Sequence, residues 1–411
     1  MRLRDAGHIA YFAGGCVRDT LLGLAAADWD VATDAPPPRI RQLFINTQAV
    51  GAAFGVILVR SGRSVVEVAT FRADGVYEDG RRPSSVRFTS AEEDARRRDF
   101  TINGMFFDPV NDQVIDFVGG REDLAAGRIR AIGNAAERFA EDHLRLLRAV
   151  RFAARFNFQI EPGTSAAIRQ LAGRLKGISP ERVGDELRLM LTAASFPAAW
   201  QLLWNLGLAG EIFRFLPKLP PLLDMNRSIL LNLSEGAEIS FGLALAGAVL
   251  CVQVQADPVS DITPLLSHAK IMAATRALRQ ALRISNTESD EMSGTLAGLL
   301  PLLQSAPPTL AMKKRFLAQP TAGQSRKLLG ALARTGYHVP RIAALTAELA
   351  ELANEEVAPA PLITGDDLIA LGLSPGPRFR KILEAVYDAQ LEDRVKSRDE
   401  AIEFVRAKSG E

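Results

Sequence analysis

The stretch Tyr11-Phe12-Ala13-Gly14-Gly15-Cys16-Val17-Arg18-Asp19-Thr20-Leu21-Leu22-Gly23, followed by Asp28-Trp29-Asp30-Val31-Ala32-Thr33, decides how this chain is read. Side chains alternate faces along a strand, so Asp28 and Asp30 on one strand aim two carboxylates at a single spot, while Trp29 and Val31 turn the other way. Two hard oxygen ligands side by side suit Mg2+, which takes one or two carboxylates and leaves its other positions to water and substrate phosphate. That is the geometry of metal-assisted phosphoryl or nucleotidyl transfer. Alone, Asp-x-Asp is more often a solvated turn; its context adds weight. Residues 8–13 read as a strand and residues 17–22 as a helix, with Gly14-Gly15 between them. Such a turn exposes backbone N–H groups to a phosphate. Arg18, one turn into the helix, adds a fixed positive charge for a triphosphate. The same glycines would also serve a plain tight turn that needs them only for its backbone angles.

The rest of the chain sets bounds. At 411 residues it has room for two to four domains, and 47% hydrophobic with 24% charged residues is ordinary globular composition. The net charge of +1 excludes a polybasic coat, so any nucleic-acid contact must come from local clusters of arginine. Cys16 and Cys251 lie far apart and have no metal-ligand spacing, as expected of reduced thiols. No apolar leader or run of about twenty apolar residues is present. The expectation is a cytoplasmic protein with no membrane partner.

Residues 1–124 read as mixed α/β. A short helix is expected at 39–44, and two β-rich runs at 55–60 and 64–71 flank Ser61-Gly62-Arg63, a hairpin signal. Glu67 alternates with Val66 and Val68, so it is either a third carboxylate on the side of the Asp pair or an edge-strand polar residue. The glycine-rich, charged segment 72–87 is a candidate lid or a plain surface loop. In Arg96-Arg97-Arg98-Asp99-Phe100-Thr101-Ile102-Asn103 the arginines could reach phosphates and Asp99 or Asn103 a ribose hydroxyl; a solvated helix face is the commoner reading.

From about residue 125 the pattern turns helical. Residues 139–156 read as one amphipathic helix in which Asp142, Arg145, Arg148 and Arg151 recur every third position. Successive steps fall about 60° short of a full turn, so Asp142 and Arg145 are neighbours while Arg151 drifts to the far side. An i,i+3 salt bridge is the ordinary reading. The sharper one is base selection. A carboxylate accepts and a guanidinium donates. The pair therefore matches cytosine and adenine, which show an amino donor beside a ring-nitrogen acceptor, and leaves unpaired groups against uracil and guanine. Ser179-Pro180 predicts a capped helix start. Further helices are expected near 229–234, 241–254, 262–284 and 292–304, and a more charged helical segment over 325–411. No histidine is followed by Asp, so no HD-type phosphohydrolase module is expected.

Gly-Gly-x-Val-Arg-Asp-x-Leu-Leu-Gly with Asp-x-Asp, then Arg-Arg-Asp-Phe-Thr-Ile-Asn, then Glu-Asp-x-x-Arg-x-x-Arg-Ala-x-Arg-Phe, together resemble the bacterial class II CCA-adding tRNA nucleotidyltransferase and poly(A) polymerase family. The resemblance covers residues 8 to about 210; beyond that it rests on length and helical character. It implies an α+β N-terminal polymerase-β-like nucleotidyltransferase head with a small mixed sheet, followed by an all-α neck, body and tail. The bounds expected are 1–124, 125–187, 188–304 and 305–411. It implies addition of C, C and A to tRNA 3′ ends from CTP and ATP, with Mg2+ and release of pyrophosphate. By motif position, Asp28 and Asp30 would hold the metal. Gly15, Arg18 and Arg98 would bind the triphosphate. Asp142 and Arg145 would select the base, and Arg148 and Arg151 would complete the nucleotide pocket. The tRNA acceptor stem and elbow would contact neck, body and tail by shape and backbone. Gly104 departs from the usual alanine. Gly51-Ala52-Ala53-Phe54 lacks the basic run that marks bacterial poly(A) polymerases. Poly(A) polymerase remains the nearest rival, and a non-catalytic tRNA-binding protein is the rival of another class.

Overall fold

β-Branched residues crowd both sides of Gly62 and favour an extended backbone, with Ile57, Val59 and Val68 buried, and this composition builds a hairpin of the sheet. Strands β4 (Val56–Ser61) and β5 (Ser64–Thr70) pair antiparallel from Ser61↔Ser64 onward, with Gly62 at φ +61° directly after β4. The computed structural model describes residues 1–51, 54–62, 64–75, 84–216, 219–220, 224–233, 238–256, 261–304, 306–337 and 339–409. Residues 76–83 of the 72–87 segment lie outside the described residues, as does Arg63 of the hairpin signal. The chain forms two compact units, Met1–Arg214 and Phe215–Glu411.

In the first unit the strands β1 (Ala10–Ala13), β2 (Asp30–Thr33), β3 (Thr47–Gly51), β8 (Phe106–Asp108) and β9 (Gln113–Ile115) join the hairpin in a seven-stranded mixed sheet. Its order is β3-β4-β5-β2-β1-β8-β9. Among the described residues of this sheet only β2 and β5 pair parallel, in the register Asp30↔Glu67, Val31↔Val68. A side ribbon pairs β6 (Arg72–Asp74) with β7 (Val86–Phe88). Period-two alternation sorts the faces. Val31 joins Leu3, Ile40, Ile57, Val59 and Val68 under the short helices α1 (Arg2–Asp5) and α3 (Pro37–Leu43). Ala32 joins Ala13, Phe71, Phe106 and Ala95 of α4 (Ala91–Arg96) on the other face. Asp30, two residues before Ala32, shares that second face.

The remainder of the unit is helical: α2 (Gly15–Leu21), α5 (Gly120–Ala125), α6 (Ala135–Glu141), α7 (Arg145–Phe156), α8 (Pro162–Leu171), α9 (Pro180–Leu191), α10 (Phe196–Asn205) and α11 (Leu208–Ile212). The segment after α5 is held along both edges. As β10 (Arg128–Ile129) it pairs with β11 (Gln159–Ile160), which follows α7. Its next residues bond the other way, Thr101 N–H to Arg130 O at 3.0 Å and Ile132 N–H to Asp99 O at 3.2 Å. At Pro180 the expected helix begins with Ser179 as the capping residue, but the serine side chain makes no capping bond.

The second unit is all-helical among the described residues. Helix α12 (Phe241–Ala256) is buried on nearly every side, as an almost unbroken apolar run requires. Helices α14 (Asn286–Leu303) and α16 (Ala322–Arg334) pack on it, with α13 (His268–Leu282) and α15 (Leu310–Leu317) against α14 and α17 (Val339–Leu352) against α16. A capping box between Ser285 and Glu288 starts α14. The last helices, α18 (Gly365–Ala370), α19 (Pro377–Leu391) and α20 (Arg398–Ser409), share a separate core around Leu368, Val386, Ala389 and Val405. Among the described residues no helix is long and apolar enough to cross a membrane.

Candidate active site

A cavity of about 500 Å³ opens within the first unit. Gly14, Gly15, Arg18, Asp30, Arg97, Arg98, Asp99 and Asn103 line it from the sheet side, with Asp142 from the link after α6 and Arg145, Arg148, Arg151, Arg155 and Arg182 from α7 and α9 opposite. Eight of the nine site residues assigned by motif position therefore share one hollow, Gly15, Arg18, Asp30, Arg98, Asp142, Arg145, Arg148 and Arg151, and the candidates Asp99 and Asn103 line it too. Asp28 is not among the lining residues.

The strand expected to carry both aspartates begins only at Asp30, so alternation does not orient Asp28, which is exposed on the preceding link. The two carboxylates still interact. Desolvation pushes the Asp30 carboxyl up, Arg98 pulls it back, and the Asp28 charge adds repulsion. Glu67 stands beside Asp30 on β5, and its carboxyl is raised by desolvation and then by Asp30. Acidic groups crowded in this way fit a divalent cation, and two carboxylates are what Mg2+ commonly takes from a protein. Among the described residues no three acidic, histidine or cysteine side chains form a complete cage.

Gly14 follows β1 at φ +71° and caps α2. A Cβ there would meet Arg98 Nη1 at 2.8 Å. Gly14→Ala is expected to cost about 2 kcal/mol from the positive φ alone and to displace Arg98. Chemical unfolding beside a turnover assay checks this, and wild-type values in both would show that the turn tolerates a side chain.

Arg18 is 4% exposed. It donates to Asp19 at 2.7 Å and to Asn103 Oδ1 at 2.5 Å, and lies 4.6 Å from the Phe156 ring centre. Arg98 donates to Asp94 Oδ2 at 3.0 Å and to the Asn103 carbonyl at 3.3 Å. Burial works to raise the Asp94 carboxyl, yet Arg98 and Arg97 hold it below the usual range. Asp99 and Asn103, candidates for a ribose contact, are already engaged. Asp99 accepts from Arg148 Nε at 2.8 Å and from Asn103 Nδ2 at 3.0 Å. Burial opposes its ionisation, but Arg148 and Asn103 bring the carboxyl down to about 2.

The single helix expected over 139–156 is two. Helix α6 stops at Glu141, Asp142 is extended at φ −143°, and α7 starts at Arg145. The i,i+3 bridge between Asp142 and Arg145 therefore does not form. Asp142 is held instead by Arg182, Nη2 to Oδ2 at 2.7 Å and Nη1 to Oδ1 at 3.1 Å. Arg145 donates to Glu141 at 2.6 Å and to the carbonyls of Arg138 and Arg97 at 2.9 and 3.3 Å. Arg151 pairs with Glu186 at 2.7 Å, and Arg155 with Asp19 at 3.0 Å. Arg97, one of the run of arginines expected to reach phosphates, lines the cavity as well, whereas sequence reading missed Arg155 and Arg182 as lining residues and Asp19, Asp94, Glu141 and Glu186 as partners of the site arginines. Asp19 and Glu141 sit inside quoted motifs and Arg155 lies three residues beyond one; Arg182 and Glu186, on α9, carried no functional signal.

Known proteins share this architecture. Residues 10–130 match the poly A polymerase head domain, and residues 157–219 match a probable RNA and SrmB-binding site of polymerase A. The chain is 33% identical over 399 residues to a CCA-adding enzyme of Lacticaseibacillus paracasei, covering 96% of this chain and 89% of that one. It is 44% identical over 223 residues to poly(A) polymerase I of Salmonella typhi, and spans about half (48%) of that relative's length. The crystal structure of the Bacillus stearothermophilus CCA-adding enzyme in complex with CTP superposes with a TM-score of 0.69 at 29% identity, over 100% of this chain and 96% of that one. Nucleotidyltransferases of this family generally use a divalent metal. The chain belongs to the class II CCA-adding enzyme and poly(A) polymerase family of nucleotidyltransferases.

Proposed function

We propose that this protein adds CCA to tRNA 3′ ends from CTP and ATP, without a nucleic-acid template, releasing pyrophosphate, with Mg2+ and in the cytoplasm. The observation that carries this reading is one cavity, which Asp30 and the Gly14-Gly15 turn enter from the sheet side, and Asp142, from the α6–α7 link, and Arg145, from the start of α7, enter from the other. In the proposal, residues 1–124 form the catalytic head and 125–187 the base-selecting neck, while 188–304 and 305–411, body and tail, bind the tRNA.

Asp28 and Asp30 would hold the ion, with Glu67 at hand on the neighbouring strand. When bound, the ion would acidify the tRNA 3′-hydroxyl and neutralise charge on the α-phosphate and departing pyrophosphate. The Gly15 backbone, Arg18 and Arg98 bind the triphosphate. Their guanidinium charges are fixed in advance by Asp19, Asn103 and Asp94, so little reorganisation accompanies binding. Asp142 accepts from the amino group shared in pattern by cytosine and adenine, Arg145 donates to the adjacent ring nitrogen, and Arg148 and Arg151 close the pocket.

Extension of tRNA lacking CCA tests this. CTP alone should add CMP, and CTP with ATP should complete CCA and stop. A long adenylate tail from ATP alone would make the protein a poly(A) polymerase. Binding of tRNA without incorporation of any nucleotide would make it a non-catalytic binder.

A further inference from the structure

We propose that Arg182 is the positioning residue of base selection: its guanidinium fixes the Asp142 carboxylate so that an incoming base has one lone-pair direction on Oδ2 to use. This inference rests on the proposed role of Asp142 as a base-selecting group.

An ionised carboxylate offers about four acceptor directions, two on each oxygen. Asp142 Oδ1 receives two donors, Leu144 N–H at 3.0 Å and Arg182 Nη1 at 3.1 Å. Among the described residues Oδ2 receives one, Arg182 Nη2 at 2.7 Å. One direction on Oδ2 is left. The amino group of cytosine or adenine can donate into it. The carbonyl that uracil or guanine presents at the same place would face it lone pair to lone pair, an unpaired contact in a desolvated site.

The need for such a clamp follows from the backbone. Asp142 sits in the link between α6 and α7, so no helix sets its side-chain direction. Arg182 comes from the first turn of α9, 40 residues away in sequence. Its planar fork fixes the plane of the carboxylate as well as its position, which a point charge cannot do. Arg145 and Arg148 line the same cavity, and the Asp142 charge already acts on Arg148. Without Arg182, Asp142 can turn towards these cations and use up its acceptor.

The test uses the full-length protein, tRNA lacking CCA, and CTP, ATP, UTP and GTP in turn. Arg182→Ala should lower the ratio of kcat/KM for CTP and ATP over UTP and GTP by about 10- to 100-fold. The loss should appear chiefly as a higher KM for the correct nucleotides. Arg182→Lys, which keeps the charge without the fork, should regain little of that ratio, and it carries the test if the alanine variant does not fold. In an Asp142→Ala background, Arg182→Ala should cost no further discrimination. Wild-type discrimination in both folded Arg182 variants, or an Arg182 effect undiminished without Asp142, overturns the proposal while the function stands. A wild-type protein that incorporates no nucleotide overturns the function and this inference together.

Discussion

Asp30→Asn is expected to lower nucleotide incorporation by about three orders of magnitude or more, with tRNA affinity changed less than about twofold. The substitution keeps the shape of the side chain and removes one charge. Asp30 is the member of the acidic pair that lines the cavity, and it stands beside Glu67 across the parallel β2–β5 register. Desolvation and the nearby Asp28 already disfavour its ionised form in the folded protein. Neutralising it should therefore leave the melting temperature unchanged or slightly raised, even as activity disappears. Single-turnover CMP incorporation, tRNA filter binding and a thermal melt measured on one preparation give the three readings. Turnover near wild type would take the metal-holding role away from this pair, whereas a large fall in melting temperature would make Asp30 a structural residue.

The second large effect falls on Asp99. Asp99→Asn strips the charge from a carboxylate that gathers Arg148, Asn103 and the Phe100 N–H. It should destabilise the protein by about 3 kcal/mol near neutral pH, the scale of breaking a buried ion pair. Much of this is linked to protons. The folded carboxyl is depressed from 3.8 to about 2. Its ionised form thus contributes about 2 kcal/mol that is complete above about pH 4 and disappears as pH falls through about 2. Unfolding curves for wild type and variant at pH 7, 4, 3 and 2.5 should show a stability gap that is flat at first and then closes. A gap that stays constant to the lowest pH would mean that the Asp99 charge is not what stabilises the fold.

What the sequence made legible was local. The Gly14-Gly15 turn, the hairpin around Gly62 and the Ser179-Pro180 helix start each depend on a few adjacent residues, and each appears where the pattern put it, apart from the missing serine cap bond. Strands as short as Phe106–Asp108 and Gln113–Ile115 carry too few residues for alternation to register. The break at 142–144 escaped because apolar spacing continues across it while the backbone does not. The ion pairs were out of reach for another reason. Arg148 meets Asp99 across 49 residues, Arg182 meets Asp142 across 40, and Arg155 meets Asp19 across 136. Spacing names the arginines but cannot say which acid each will find.

The double stitching of residues 128–132 bears on how this chain can be dissected. One edge of that segment is joined to Gln159–Ile160 and the other to Asp99 and Thr101. A recombinant fragment ending near residue 124 would strip the Asp99–Thr101 backbone of both partners and remove Arg148 from Asp99. A minimal version of the first unit would have to run through Arg214 to keep its own seams closed.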